Sequence, residues 1–348
     1  MKIKKLIIRQ PDDMHVHFRS GEILQNVAPF TTHIFGRAVA MGNLPVPITT
    51  PEMARAYREE IKDISPKGFN PIMSVIMTKD ITPEKIKEIY KAGVKVLKLI
   101  PASTSTNSSE GIILNELRNY LSVLEMVKKV GMIFSVHFEL IRNPKTGKEI
   151  PEIQREEAAI PFLRHLVLKA SGLKIVVEHA STRKIIEFVK KAPWNVAATL
   201  TAHHALVNYG DVFNPQGRIK DPFLYCKPIA KTADDQEAVI EAMTSGNPKF
   251  FFGSDSAPHS IWKKNSNEPP AGIFAAPVVI PLLCEIFERE KKLERLENFV
   301  SRFGAKFYGL PFNTGKIEIE REEWRVPDEI DSGVKIFKGG ETLQWQVV

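Results

Sequence analysis

Eight short apolar segments, most of them followed by a stretch with helix signals, constrain the fold of this chain more than any other feature. The first ends at His17, with Leu6, Ile7 and Ile8 leading into it. The others cover 37–43, 71–77, 94–100, 132–137, 174–179, 195–201 and 249–255. Helices are predicted over 83–92, 114–130, 156–170, 182–191 and 233–243. This alternation is typical of a parallel sheet with crossover helices.

Eight such units favour an α/β fold of the (β/α)8 TIM barrel type over an open doubly wound sheet. No G-x-G-x-x-G follows the first segment, so a dinucleotide-binding sheet loses its main support. After Asp255 we predict a loop over 256–272, then two apolar helices, and then a tail whose alternating runs KIEIE, VKIF and LQWQVV are short strands. We therefore predict one domain over 1–348, with 313–348 as a C-terminal extension packed on the barrel.

Charge and cysteine content argue against several classes of protein. The chain has 48 Lys plus Arg against 41 Asp plus Glu, a formal net charge of +7, but the basic residues are spread over predicted helix faces. Single-strand binders interleave basic tracts with aromatic residues, so neither nucleic acid nor a membrane is expected as a partner. With two cysteines and no apolar run long enough for a bilayer or a signal peptide, we expect a reducing, cytoplasmic setting.

Two histidines separated by one residue lie at the end of the first apolar segment. In DDMHVHFR, His15 and His17 fall on one face of a predicted strand, and strand parity points Arg19 the same way. Two imidazoles on one face can share a metal ion. The pair alone does not establish a metal site, because strand-end histidines often bind nothing. The later strands decide the matter, since they end in residues that would complete such a site.

Polar side chains lie at or near the ends of these later strands. They are Asn43, Lys98, His137, His179 and Asp255. A barrel enzyme builds its active site from the carboxyl ends of its strands, so we expect these side chains to converge with the H-x-H pair. His33 and His165 lack that placement and are interpreted as ordinary helix or loop residues. For His203 and His204, after the seventh strand, a supporting role is favoured over a ligand role.

Lys98 shares its strand face with Val94, Val96 and Ile100 in the segment VKVLKLI. Burying an unpaired ammonium group costs several kcal/mol, so we expect this amine to be modified, paired or strongly shifted in pKa. An ion pair with Glu178 or Asp255 is one solution. Carboxylation of the amine is another, because the two oxygens of the resulting carbamate could bridge two metal ions.

The set H-x-H, Lys, His, His and Asp, at the ends of strands one, four, five, six and eight, resembles the binuclear metal site of the amidohydrolase superfamily. Local segments are similar to the dihydroorotase family in its single-domain bacterial form. These segments, spread from residue 11 to residue 311, are PDDMHVHFRSG, MGNLPVPITT, LKLIPASTSTNSS, VHFE, VEHAST, ATLTAHH, GSDSAPH and KFYGLP.

This resemblance implies two Zn²⁺ ions per subunit. The H-x-H histidines and Asp255 would hold the more buried ion, and His137 and His179 the more exposed one. Lys98, as N6-carboxylysine carrying a CO2-derived carbamate, would bridge both ions beside a bridging hydroxide. Imidazole ligands agree with zinc rather than magnesium or calcium, although cobalt or manganese would also fit.

The resemblance also implies a set of substrate contacts. The substrate carboxylate would be bound by Arg19, Asn43 and His259. The ring amide would contact main-chain groups of Lys227 and Ala271. The segment 103–109 matches the mobile loop of the family, in which Ser105 and Thr106 would offer hydroxyls that close over the substrate.

The family interconverts N-carbamoyl-L-aspartate and L-dihydroorotate, a reversible cyclisation in de novo pyrimidine (UMP) biosynthesis, and Asp255 would be its proton shuttle. An arginine–carboxylate contact positions such an acidic substrate. The alternative is a hydantoinase- or dihydropyrimidinase-like cyclic amidohydrolase, which would keep the metals but lack the carboxylate pocket. A non-catalytic scaffold is disfavoured because every implied ligand is present. A homodimer is expected by resemblance.

Overall fold

The computed structural model describes residues 3–102, 104 and 111–348, and a closed sheet of parallel strands forms its centre. The strands are β1 Lys5–Arg9, β2 Asp12–Val16, β3 Arg37–Ala40, β4 Asn70–Ile76, β5 Val96–Leu99, β6 Ile133–Val136, β7 Ile175–Val177, β8 Val196–Leu200, β9 Phe250–Phe252, β10 Lys316–Glu320, β11 Trp324–Arg325, β12 Glu329–Ile330, β13 Val334–Lys335, β14 Thr342–Leu343 and β15 Gln346–Val347.

Strands β2 to β9 form an eight-stranded parallel sheet in chain order. A parallel bridge between Val16 and Ser256, together with a hydrogen bond from the Asp255 N–H to the His15 carbonyl, joins the last strand to the first. The predicted (β/α)8 barrel is therefore confirmed, and an open doubly wound sheet is excluded.

Helices connect the barrel strands. They are α1 Gly21–Val27, α2 Pro29–Thr32, α3 Pro51–Asp63, α4 Pro83–Lys91, α5 Leu121–Val130, α6 Arg155–Lys169, α7 Arg183–Lys191, α8 Ala202–Leu206, α9 Tyr209–Val212, α10 Ala233–Thr244, α11 Ile261–Lys264, α12 Val279–Arg289 and α13 Phe303–Tyr308. Short 3-10 segments cover Leu114–Tyr120, Glu152–Gln154, Pro222–Leu224 and Leu293–Arg295, and Asn298–Arg302 is a π-helical turn.

Threonine–proline pairs start two of these helices. The Thr50 side chain accepts a hydrogen bond from the Met53 N–H, and the Thr82 side chain accepts one from the Lys85 N–H. A proline follows each threonine at the first helical position, where its missing N–H costs nothing. The single helix predicted over 114–130 is instead a 3-10 segment followed by α5.

One apolar side chain or more from each barrel strand fills the interior. These side chains are Met14, Val39, Met41, Ile72, Val96, Ile133, Val176, Ala197 and Phe251. Helix α13 packs against them at the amino ends of the strands, where Lys174 donates a hydrogen bond to the Phe307 carbonyl and Arg37 to the Pro311 carbonyl. Helix α13 thus closes the amino end of the barrel, and an active site is expected at the opposite end, where the strands have their carboxyl termini.

The segment Leu6–Ile8 does not lead into the first barrel strand as predicted. It lies in β1, which ends before Pro11 and pairs antiparallel with β10, and β10 pairs in turn with β15. Ile8 is buried while Ile7 is 53% exposed, the alternation of a strand covered on one face. The predicted strands of the tail are confirmed, and the buried Trp345 joins them to the core. In the part of the chain described, no helix is long and apolar enough to cross a membrane.

Candidate active site

The carboxyl ends of β2 and β9 bring three of the predicted ligands together. His15 lies on β2, His17 follows its end, and Asp255 lies beyond the end of β9. Asp255 Oδ1 is 3.1 Å from His17 Nε2 and 3.4 Å from His15 Nε2. One ligand atom from each residue lies within 4.8 Å of the others. This arrangement can surround a single metal ion.

A break in strand register accompanies the H-x-H pair. The pairing of β2 with β3 shifts between Asp13 and Val16. Met14 packs inside the barrel whereas Val16 packs beneath the helices, although strict alternation would place both on one side. Bulges of this kind re-aim side chains beside active sites. Strand parity in the sequence predicts that His15 and His17 meet, but it does not predict the bulge.

His137 and His179 form a second group, after the ends of β6 and β7. His137 Nδ1 is 3.3 Å from His179 Nε2, and His137 Nε2 is 2.8 Å from Glu139 Oε2. If Nε2–H donates to that carboxylate, Nδ1 keeps its lone pair for a ligand. Burial opposes ionisation of Glu139, but the bond from His137 and the charge of Lys231 outweigh it and lower the pKa of this carboxyl. The His15 and His179 rings, 5.1 Å apart between centroids, connect the two groups.

Lys98 lies on β5 and is 1% exposed. Its Nζ has no hydrogen-bond partner, and no carboxylate in the described residues lies within ion-pair distance. The ion pair with Glu178 or Asp255 that the sequence allowed is therefore not formed. Burial lowers the pKa of Lys98, although Glu178 and Asp255 oppose this effect through their charge. A lowered pKa favours the neutral amine, the form that reacts with CO2.

Glu178 is a site residue to which the sequence analysis gives no role beyond a possible ion pair. Its Oε2 is 2.7 Å from His15 Nδ1 and accepts a 2.6 Å hydrogen bond from Thr199 Oγ1, and its Oε1 accepts one from Ser135. Burial would raise the pKa of Glu178, but His15 and Lys98 lower it to about 2. The carboxylate therefore holds the His15 ring with Nε2 towards Asp255. Strand alternation in the sequence could have indicated this role, because Glu178 lies two residues after Val176, which points into the barrel, and so shares its strand face.

Three site residues have left-handed backbone conformations. The φ angles are 65° at Arg19, 41° at His179 and 45° at Asp255. For residues other than glycine such angles cost about 1 kcal/mol or more each, and they persist where the surrounding structure enforces them. All three follow the ends of barrel strands, so the strain is concentrated where the side chains turn into the site.

Arg19 and His259 meet beside the H-x-H group. The Tyr57 hydroxyl donates a 2.6 Å hydrogen bond to the Arg19 carbonyl, and Arg19 Nε donates a 3.0 Å bond to the Pro258 carbonyl. His259 Nε2 is 3.0 Å from Arg19 Nη2 and 3.0 Å from the Ala271 carbonyl. Burial lowers the pKa of Arg19 to about 10, so it stays a cation at neutral pH. Burial and the Arg19 charge lower the pKa of His259 to about 2, so this imidazole is neutral.

A small cavity connects the metal-ligand candidates with the substrate-binding candidates. Its lining residues are His17, Arg19, Asn43, Lys227, Asp255, Ala257, Ala271 and Gly272. Asn43 is buried, and the Lys227 side chain points to Glu152 with Nζ 2.6 Å from Oε1. The structure thus brings six of the predicted residues together around one space, whereas His15, Lys98, His137, His179 and His259 are not among its lining residues. Ser105 and Thr106 lie outside the described residues.

Three of the candidate ligand histidines favour the neutral form, which binds metals. Burial lowers the pKa of His15 and His17 more than nearby carboxylates raise it, and burial together with neighbouring positive charge lowers the pKa of His179. A neutral imidazole keeps the lone pair that a metal ion needs. His33 and His165 lie on the surface away from these groups, as expected, whereas His203 and His204 are buried.

Comparisons with known proteins identify the family. No protein-family model matches the chain. A dihydroorotase from Coxiella burnetii is 40% identical over 354 residues, covering 99% of this chain and 98% of that protein. One from Teredinibacter turnerae is 41% identical over 348 residues, covering 98% of each. The chain belongs to the dihydroorotase family.

Solved structures agree with this assignment. The dihydroorotase from Saccharomyces cerevisiae, in complex with 5-fluoroorotic acid, matches with a TM-score of 0.92 at 31% identity and 99% coverage of both chains. The L-hydantoinase from Arthrobacter aurescens matches with a TM-score of 0.80 at 16% identity, covering 98% of this chain and 82% of that one. The hydantoinase likeness shows the fold alone. The predicted dihydroorotase function is confirmed, and the hydantoinase-like alternative keeps only the shared barrel as support.

Proposed function

We propose that the chain catalyses the reversible cyclisation of N-carbamoyl-L-aspartate to L-dihydroorotate, in de novo pyrimidine biosynthesis, at a binuclear zinc centre. His15, His17 and Asp255 would hold one ion, and His137 with His179 the other. The main support for a binuclear centre is Lys98, because its buried Nζ has no hydrogen-bond partner among the described residues.

Carboxylation of Lys98 by CO2 would remove the cost of burying that amine. The neutral amine would add CO2 and release a proton, giving an anion among imidazoles and two metal ions, and a buried charge persists when it is paired with opposite charge or coordinates a metal. The donor set supports this proposal, since the imidazoles are held by Glu139 and Glu178 in orientations that leave a ring nitrogen for a metal. Imidazole and carboxylate donors together suit zinc.

The metal ions, when bound, would lower the pKa of a water molecule and polarise the ring carbonyl. Asp255 would move the proton. Its Oδ1 lies against His15 and His17, so we assign the mobile proton to Oδ2. In hydrolysis Asp255 accepts a proton as the water attacks and gives it to the departing ring nitrogen, and ring closure runs this transfer in reverse. Burial raises the pKa of this carboxyl, although His15, His204 and Lys98 oppose this effect through their charge.

Arg19, Asn43 and His259 would hold the substrate carboxylate. The Arg19 guanidinium is fixed before substrate arrives by the bond from Nε to the Pro258 carbonyl, while the Tyr57 hydroxyl holds the Arg19 backbone, so little side-chain freedom is lost on binding. The ring amide would contact main-chain groups of Lys227 and Ala271. The Saccharomyces relative was solved with 5-fluoroorotic acid, a ring that carries a carboxylate, and this supports an acidic substrate here.

Metal analysis combined with a carbamoyl-aspartate assay tests the proposal. Wild-type protein should hold two zinc ions per subunit at this centre, apart from any ion bound elsewhere on the chain, and convert both substrates. Lys98→Ala should lose the binuclear centre and the activity, with partial rescue by short carboxylic acids that occupy the bridging position. The matched control is Lys95→Ala, at an exposed lysine three residues earlier, which should keep both. Two metals and full activity in Lys98→Ala without added acid would overturn the proposal.

Further features follow from the family resemblance and remain proposals. We propose a single domain over 1–348 with 313–348 as its extension, a cytoplasmic homodimer, no nucleic-acid partner, and closure of Ser105 and Thr106 over the substrate. Size-exclusion chromatography with light scattering tests the dimer.

A further inference from the structure

A second cluster of metal-ligating side chains lies outside the site described above. His203 and His204 are on α8, and Cys226 follows the 3-10 segment Pro222–Leu224. One ligand atom from each lies within 4.8 Å of the others, and none of the three residues is more than 3% exposed.

His203 is the unusual member of this cluster. Both of its ring nitrogens are buried without a hydrogen-bond partner among the described residues. Leaving a buried polar group unpaired destabilises the fold, and a buried imidazole normally satisfies at least one nitrogen. None of the roles assigned above uses these nitrogens. One ring nitrogen of His203 therefore lies within 4.8 Å of a ligand atom of Cys226 and of His204, and makes no hydrogen bond among the described residues.

His204 and Cys226 meet at one carbonyl. His204 Nε2 is 3.0 Å from the Pro228 carbonyl and 3.8 Å from Cys226 Sγ, and the Cys226 thiol donates to the same carbonyl at 3.3 Å. His204 Nδ1 is 2.8 Å from Thr201 Oγ1. The Pro228 carbonyl can only accept, so Nε2 carries the hydrogen in this structure. Binding an ion at Nε2 therefore requires the other tautomer, in which Nδ1–H donates to Thr201 Oγ1 and the bond to Pro228 is lost.

We propose that His203, His204 and Cys226 form a separate site for one thiophilic metal ion, such as Zn²⁺ or the Co²⁺ and Cd²⁺ ions that replace it. One thiolate and two imidazoles are the soft and borderline donors that these ions prefer. Binding breaks the S–H bond of Cys226 and forms a sulfur–metal bond, and the proton leaves to solvent, so one proton is released per ion. Burial raises the pKa of this thiol to about 12, so the ion must displace the proton itself.

The site would act on the substrate cavity through the chain that carries it. Cys226 precedes Lys227, which lines that cavity, and the Tyr225 carbonyl accepts hydrogen bonds from Lys264 and from the Gly272 N–H. An ion bound at Cys226 would fix the position of these main-chain groups. Sulfur ligation distinguishes this site from the proposed binuclear centre, because the ligands of that centre include no sulfur.

Cobalt titration of the full-length chain tests this inference, because a thiolate-to-cobalt charge-transfer band reports sulfur ligation alone. We expect a band whose intensity corresponds to one thiolate-bound Co²⁺ per chain and which disappears in Cys226→Ser. The control is Cys284→Ser, which removes the other buried cysteine, on α12, and should leave the band unchanged. Lys98→Ala should also keep the band, so failure of the binuclear centre is distinguished from failure of this site.

A second variant keeps the thiol and guards against misfolding of Cys226→Ser. His203→Gln should weaken cobalt binding at least tenfold, as judged by the same band. The inference is overturned if wild-type protein shows no thiolate band, if the band survives Cys226→Ser, or if His203→Gln binds cobalt as tightly as wild type.

Discussion

Replacing Arg19 with methionine tests how the site recognises its substrate. The substitution removes the guanidinium that would pair with the substrate carboxylate and keeps an apolar side chain of similar length. The backbone at Arg19 remains held by the 2.6 Å bond from the Tyr57 hydroxyl, so the metal-ligand groups should keep their positions. His259 loses a neighbour 3.0 Å away but retains its contact with the Ala271 carbonyl.

The size of the effect follows from the contact removed. Loss of a charge-assisted, bidentate partner from a carboxylate that stays buried costs about 2–5 kcal/mol. Since about 1.4 kcal/mol corresponds to a factor of ten, kcat/KM for dihydroorotate should fall roughly 30- to 5,000-fold. Dihydrouracil has no carboxylate, so its slow turnover should change much less. The ratio of the two activities therefore isolates the carboxylate contact.

Steady-state hydrolysis of both rings, followed by loss of ring absorbance, measures this ratio, and metal content is measured on the same samples. Arg37→Met is the matched control. Arg37 is also buried and contacts a carboxylate in bidentate fashion, at 2.8 and 2.7 Å to Asp12, but at the closed end of the barrel. Its loss should destabilise the fold by about 3–5 kcal/mol without altering the ratio. An unchanged ratio in Arg19→Met would refute the carboxylate assignment.

Three further changes test the supporting residues. Asp255→Asn should keep most of the metal but reduce turnover by several orders of magnitude, as measured by metal analysis and a single-turnover assay; a near-normal rate would assign the proton to another group. Glu139→Gln should weaken metal affinity or activity roughly 10- to 100-fold in metal-buffered titrations, because it removes the carboxylate that orients His137. Glu156, whose pKa burial raises from an ordinary 4.5 to about 7, should keep its proton longer in the folded state. The unfolding free energy should therefore fall between pH 4.5 and pH 7, by up to about 3 kcal/mol, and denaturant titrations of Glu156→Gln should lack this slope.

The barrel could be predicted from the sequence because its strands are buried on both faces and read as apolar runs. Each run ends near the point where a polar residue enters the site, so His137, His179 and Asp255 could be placed at one edge before any contact was known. The error at β1 has the same origin. Leu6–Ile8 is also an apolar run, and nothing local shows that its partner is β10, more than 300 residues away.

The parts of the candidate site that depend on contacts between different strands could not be predicted from the sequence. His15 is oriented by Glu178, which lies 163 positions away in the chain, and Glu178 is held by Thr199 and Ser135 on neighbouring strands. From the sequence alone, Glu178 is only a charged residue next to His179, and its contact with His15 cannot be predicted.

Backbone strain is equally invisible in the sequence. The positive φ angles at Arg19, His179 and Asp255 contradict the local preference of each residue, so local propensity predicts the opposite conformation. The surrounding barrel can enforce them because the strand ends are fixed by pairing on both sides, as at Asp255, whose N–H is bound to the His15 carbonyl at 2.8 Å. Closure of the barrel therefore imposes both the backbone strain and the ligand geometry. A sequence change that opened the contact between β2 and β9 would disturb His15, His17 and Asp255 together, even though it replaced none of them.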